Sequence, residues 1–245
     1  MGEVIAILSG KGGTGKTSVC AGLSAALAAQ GEKVLCVDCD IGLRNLDISL
    51  GMSESGALSF LDVCRGGYPL EQAPAHPVWP SLHFLTAPVE RGAAVTAEAF
   101  SALMRRACGE YAYVFLDAPG GMDAGFELAA AAAGRILLVT GADPAAVRDA
   151  ARIAQVLDQM GKERVRLIVN RVDKRMIAAM DLTVDDIMDT AGLPLLGLVP
   201  EDPAVTLAAA FGQSVLAYAP RGGASRAFRR IARRLRGIPE PVALR

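Results

Sequence analysis

Short, predominantly apolar runs recur along the chain and alternate with longer stretches of helical spacing. Residues 4–8, 34–38, 82–86, 113–117, 136–139, 164–169 and 195–199 lack the polar alternation of a half-exposed strand, which predicts strands buried on both faces. Residues 18–30, 57–64, 96–108, 144–160 and 183–191 place apolar side chains three and four apart and predict helices. Gly31 suits the position just past the first of these, and Asp143-Pro144 caps and opens the fourth. Residues 225–236 set Phe228, Ile231 and Leu235 on one helical face. Residues 68–80 carry Pro69, Pro74, Pro77 and Pro80 and predict a surface connection. Strand–helix alternation of this kind predicts an α/β fold: a mostly parallel, twisted sheet with helices on both faces. One domain over residues 1–238 and a proline-bearing tail over 239–245 follow from the length and pattern.

The first strand, the glycines after it and the first helix form one unit. Gly10-x-x-x-x-Gly15-Lys16-Thr17 matches a phosphate-binding loop at every fixed position, in the strand-to-helix context that loop requires. Glycines let backbone N–H groups converge on phosphate oxygens, and a helix N-terminus adds the positive end of its dipole. Gly10, Lys11, Gly12, Gly13, Thr14, Gly15, Lys16, Thr17 and Ser18 are therefore candidate ATP/ADP-binding residues, with Lys16 on the β/γ-phosphates and the Thr17 hydroxyl on Mg2+. The fourth strand ends at Asp117, ahead of Ala118-Pro119-Gly120-Gly121. An acid at that strand tip approaches Mg2+, and the turn behind it can respond to the γ-phosphate.

Lys11 is not needed by an ordinary phosphate loop. Lys11-Gly12-Gly13-x-Gly15-Lys16-Thr17 resembles the deviant Walker A motif of the MinD/ParA class of ATPases. The run Asp40-Ile41-Gly42-Leu43-Arg44-Asn45-Leu46-Asp47 is similar to a segment of that class's septum-site branch. The resemblance spans almost the whole chain and implies a slow ATPase that forms an ATP-dependent homodimer, with Lys11 reaching the partner's nucleotide. It implies that Asp40 positions the attacking water and senses the γ-phosphate, making Lys11, Lys16 and Asp40 catalytic and Thr17, Asp40 and Asp117 the metal set. It places adenine between Asn170, Arg171 and the Pro200-Glu201-Asp202 loop, and implies a MinE-type activator and a MinC-type division inhibitor as partners. A DNA-partitioning ATPase of the ParA type and a flagellar-number or polarity regulator share these motifs and stay open. An iron–sulfur carrier or reductase needs cluster-ligating cysteines, and no cysteine follows Cys108.

Net charge is −1 and the pI is near 6.2, which argues against general nucleic-acid affinity. Charge is nonetheless segregated. Seven of the 25 Lys and Arg residues lie between Arg221 and Arg236 with no acid among them, leaving 18 bases against 26 acids elsewhere. A basic amphipathic helix there either packs its apolar stripe on the sheet, which we favour, or lies on an anionic membrane. The resemblance implies a membrane-targeting segment beyond this helix, but Pro239 and Pro241 do not suit one. Peripheral association with the inner face of the cell membrane is left open, and so is DNA binding by the arginine patch. Five cysteines, an odd number without a leader peptide, fit a reduced cytoplasm. Cys36 and Cys39 sit three apart at a strand and so face opposite ways, as core residues rather than ligands. His76 and His83 lack the neighbours of a catalytic or metal site.

Overall fold

The computed structural model describes residues 2–41, 44–88 and 95–243. Gly42 and Leu43 of the segment after Asp40, and Leu244 and Arg245 of the tail, lie outside the described residues. β1 (Glu3–Leu8) leads through the glycine loop into α1 (Lys16–Ala28) and β2 (Val34–Asp38). Two short helices, α2 (Leu46–Leu50) and α3 (Phe60–Cys64), precede β3 (Leu82–Leu85). Next come α4 (Ala97–Glu110), β4 (Tyr113–Asp117), α5 (Ala124–Ala132), β5 (Arg135–Thr140), α6 (Pro144–Gln159) and β6 (Val165–Val172). Then follow α7 (Lys174–Ala179), α8 (Val184–Ala191), β7 (Leu195–Pro200), α9 (Pro203–Ala210), α10 (Val215–Tyr218) and α11 (Gly223–Leu235).

All seven strands pair in parallel, in the order β3-β2-β4-β1-β5-β6-β7. Their continuous apolar runs split by parity between two cores. Val4, Ala6 and Leu8 join the core beneath α4, α5, α6 and α8. Ile5 and Ile7 join the core beneath α1, α2, α10 and α11. Cys36 and Cys39 divide the same way, one to each core, as their spacing predicts. The apolar stripe of α11 is spent on packing: Phe228, Ile231 and Leu235 are buried against α1 and β7. Two glycines make that close approach possible. A Cβ at Gly22 would lie 2.4 Å from the Phe228 ring, and one at Gly197 would lie 2.4 Å from Ile231 Cγ1.

Most expected boundaries shift by two residues or fewer, and two move by three. The helix predicted over 57–64 starts only at Phe60, because Ser59 bridges Thr86 and the Phe60 N–H donates to Thr86 O at 3.0 Å. The Ser59 hydroxyl then caps the shortened helix by accepting from Leu61 N. The sixth strand, predicted to stop at residue 169, runs on to Val172 through a register shift, with Arg171 at φ 56°. Such a bulge re-aims neighbouring side chains. Here Asn170 turns inward and Arg171 outward. The 68–80 connection is irregular apart from one 3-10 turn at Leu70–Gln72.

The topology fixes where a ligand can sit. From β1 the chain leaves over one face through α1 toward β2, while from β4 it leaves over the other face through α5 toward β5. Adjacent parallel strands whose connections depart in opposite senses leave a crevice at their carboxyl ends. The glycine loop follows β1 and Asp117 ends β4, so both border that crevice.

Candidate functional site

The loop between β1 and α1 is held from behind and open in front. Ser9 Oγ donates to Lys11 O at 2.7 Å, and Asn170 Nδ2 donates to Thr14 O at 2.8 Å. Gly15 adopts φ 84° as the N-cap of α1, and a Cβ there would lie 2.3 Å from Asn170 Nδ2, so only glycine fits. At Gly12 and Gly13 a Cβ would meet nothing within 4 Å, which leaves the outer face of the loop clear. No side chain caps α1, so its first-turn N–H groups point into this opening without a side-chain acceptor. Gly120, in the turn after β4, lies flat on the loop: a Cβ there would sit 2.9 Å from Gly12 N.

Beneath the loop lies a buried charge cluster. Lys16 is 7% exposed; burial lowers its pKa, and Asp117, Asp40 and Asp123 pull it back up. Asp117 is 2% exposed and well above the usual carboxylate range through burial and the neighbouring Asp38, with the Thr17 hydroxyl and Lys16 opposing. Its Oδ1 has no hydrogen-bond partner. Asp38 accepts from Asp40 N at 2.8 Å and Leu46 N at 3.3 Å, yet burial still raises it to about 6. Asp40 is half-buried and raised by burial and by Asp123, with Lys16 opposing. An orphaned buried carboxylate oxygen beside a hydroxyl suits a hard dication that completes its shell with phosphate oxygens and water. Mg2+ sites of this type need only one or two protein carboxylates. No group of three or more His, Cys, Asp or Glu that could hold a metal occurs among the described residues.

Beside the loop opens a cavity of about 480 Å3, walled by Lys11–Thr14, the Gly141–Asp143 turn, Met176 and Met180, and the Arg171–Glu201 ion pair at 2.7 Å. The expected adenine residues therefore divide. Arg171 and Glu201 line the cavity. Asn170 backs the glycine loop, Asp202 caps α9 and also accepts from Ala224 N at 3.0 Å, and Pro200 lies against Gly223. Lys11 projects from the loop with its side chain 42% exposed and its ammonium 3.5 Å from Asp143 Oδ1. The sequence reading omitted Asp38, Asp123, Met176 and Met180, and took Asp143 only as a helix cap. The local signals were slight: a strand-end acid for Asp38, and for Asp123 an N-cap after the Gly-Gly turn, where its Oδ1 accepts from Gly125 and Phe126 N–H. His76 is engaged with backbone: Nε2 donates to Leu50 O, and Nδ1 accepts from Val78 N and Trp79 N.

Comparison with known proteins agrees with this geometry. The family model of the CobQ/CobB/MinD/ParA nucleotide binding domain matches residues 5–215. A septum site-determining protein MinD of Synechocystis sp. is 35% identical over 244 residues, covering 98% of this chain and 92% of that protein. Among solved structures, a MinC:MinD cell division protein complex from Aquifex aeolicus is similar at 34% identity and TM-score 0.90, covering 98% of each chain. The septum site-determining protein MinD of Pyrococcus horikoshii, complexed with Mg-ADP, is similar at 28% identity and TM-score 0.83, covering 96% of each chain.

Proposed function

The chain belongs to the CobQ/CobB/MinD/ParA nucleotide-binding family, and on that premise we propose that it is a MinD-type ATPase of division-site placement, switching between a monomer and an ATP-bound pair. One observation carries the reading: a buried lysine, Lys16, and a buried acid with an orphaned oxygen, Asp117, face each other under an uncapped helix N-terminus. A site of that kind is costly for a protein to keep without a ligand that is anionic on one side and cationic on the other.

The chain's own groups divide the work of hydrolysing ATP to ADP and phosphate. The Gly12–Thr14 backbone and the first turn of α1 hold the β- and γ-phosphates, and Lys16 neutralises their charge. The Thr17 hydroxyl and Asp117 would hold Mg2+, which would supply further neutralisation of the phosphate oxygens. Asp40, half-buried and within the field of Lys16, orients the attacking water. The cavity beside the loop receives the base, with Met176 and Met180 as its apolar wall and the Arg171–Glu201 pair at its rim. Catalysis of this type is positioning and charge stabilisation, so turnover stays slow until the constellation is completed from outside.

Completion comes from a second copy. Each Lys11 leaves its own Asp143 and reaches the partner's nucleotide, a contact that exists only in the ATP-bound pair, so ATP shifts the population toward the pair. The solved MinC:MinD complex of a relative supports a MinC-type division inhibitor as effector. Lys16→Ala should abolish ATP binding in calorimetric titration, and unchanged affinity would remove the phosphate-loop assignment. Lys11→Ala should still bind ATP but stay monomeric in sedimentation; a variant that dimerises normally with ATP refutes the cross-subunit role.

A further inference from the structure

At the amino ends of β5, β6 and β7, on the far side of the sheet from the glycine loop, lies a depression of about 950 Å3 between α6, the α8–β7 turn and the last turn of α11. Four arginines line it, Arg135, Arg164, Arg166 and Arg234, and Arg233 and Arg236 flank the last of these at the end of α11. Four of the six have carboxylate partners. Arg135 and Arg164 share Glu3 at 3.2 and 2.7 Å, Arg233 pairs with Glu240 at 2.5 Å, and Arg236 pairs with Glu32 at 3.1 Å.

Among the described residues, Arg166 and Arg234 have none. Arg166 is exposed and makes no hydrogen bond or ion pair among the described residues. Arg234 reaches only the Leu195 carbonyl, at 3.5 Å, and its buried Nη1 has no acceptor. Parity on β6 turns Arg166 to the same face as Ile168, toward α11. The pair therefore stands together at the depression, and Arg166 joins burial in lowering the pKa of Arg234. Asp158 and Glu163 also line the depression, but neither forms an ion pair with these two. A helix C-terminus favours Arg234 through the dipole. That accounts for one cation on α11 and not for a second facing it from β6.

Two neighbouring guanidinium groups without carboxylate partners repel each other until an anion bridges them, and planar donor forks match the oxygens of a phosphate. We propose that Arg166 and Arg234 form a second anion site, separate from the nucleotide crevice, that takes an oxyanion of the phosphate class. Ala151, Ala154, Leu193 and Pro194 extend the walls beyond the pair, so the anion can carry a carbon-bearing body. The site shares no residue with the proposed ATPase machinery and stands or falls without it.

The test is a calorimetric titration of inorganic pyrophosphate into the full chain at low salt, with Mg-ADP present in excess so that the glycine loop is not competing. Saturable binding is expected, weakened at least tenfold in Arg166→Gln and in Arg234→Gln and unchanged in Arg221→Gln. Equal affinity in the parent and both variants overturns the assignment. A second readout separates loss of a ligand from loss of structure. Without ligand, Arg166→Gln should melt at a higher temperature than the parent, since it relieves a like-charge contact, and pyrophosphate should no longer raise its Tm. A lower ligand-free Tm removes the premise of mutual repulsion. Vesicles of phosphatidic acid in phosphatidylcholine identify the source of the phosphate. Pelleting that Arg166→Gln abolishes marks a lipid headgroup, whereas loss of pyrophosphate affinity with pelleting unchanged or absent in both proteins marks a soluble oxyanion.

Discussion

His76 illustrates how one buried side chain ties irregular backbone to regular structure. With Nε2 donating to the end of α2 and Nδ1 accepting from two N–H groups, it holds the proline-rich connection under the core that contains Leu50. Burial lowers its pKa below the ordinary 6.5, against the smaller effect of the Leu50 carbonyl. In that case the unfolded chain takes up the proton first as pH falls. The neutral ring's contribution is complete above about 6.5, the usual His value, and drains away as pH drops toward the lowered folded value. His76→Ala should therefore cost about 2–3 kcal/mol at pH 7.5, in line with an unsatisfied carbonyl and a lost ring. It should also flatten part of the decline in urea midpoint between pH 7.5 and 5. An unchanged pH slope would show that the ring does not titrate in this environment.

At the scale of elements, α11 is the clearest case of packing written into small residues. Gly22 and Gly197 are seats for Phe228 and Ile231. Gly22→Ala should destabilise by about 1–3 kcal/mol through overpacking, despite alanine's better helix propensity. Phe228→Leu should absorb part of that cost, giving a coupling of about 0.5 kcal/mol or more in a double-mutant cycle; strict additivity would place the two residues out of contact. The strands and most long helices were legible in the sequence because buried parallel strands and amphipathic helices leave different periods. The short elements were not. Leu58 and Ser59 read as helix because their period matched Leu61 and Cys64, but pairing to Thr86 overrode it. Asn170 and Arg171 fell outside the strand pattern because they are polar and end the apolar run, although the strand carries on through the bulge. The glycine loop and Asp117 were legible from their own chemistry. The cavity wall at Met176 and Met180 was not, since two methionines carry no local mark of a ligand.

Over the whole molecule, the proposed pairing turns on the state of Lys11. Its bridge to Asp143 is solvent-exposed on both sides and contributes about 0.2–1 kcal/mol. In the proposed ATP-bound pair two such bridges would break. Asp143→Asn keeps the cap on α6, since asparagine also accepts from Ala146 N–H, and removes the charge that holds Lys11 at home. ATP-dependent association, read by sedimentation equilibrium, should tighten about two- to thirtyfold in this variant. No tightening would mean that Lys11 is released without cost.

The bare contact of Gly120 on Gly12 makes the two turns behave like engaged plates of a clutch. Neither carries a side chain to slip on, so the two backbones meet directly, and a displacement of the β4 turn would press on the backbone that carries Lys11. A single methyl at position 120 would act as a shim, forcing the plates apart and uncoupling what happens at the γ-phosphate from where Lys11 points.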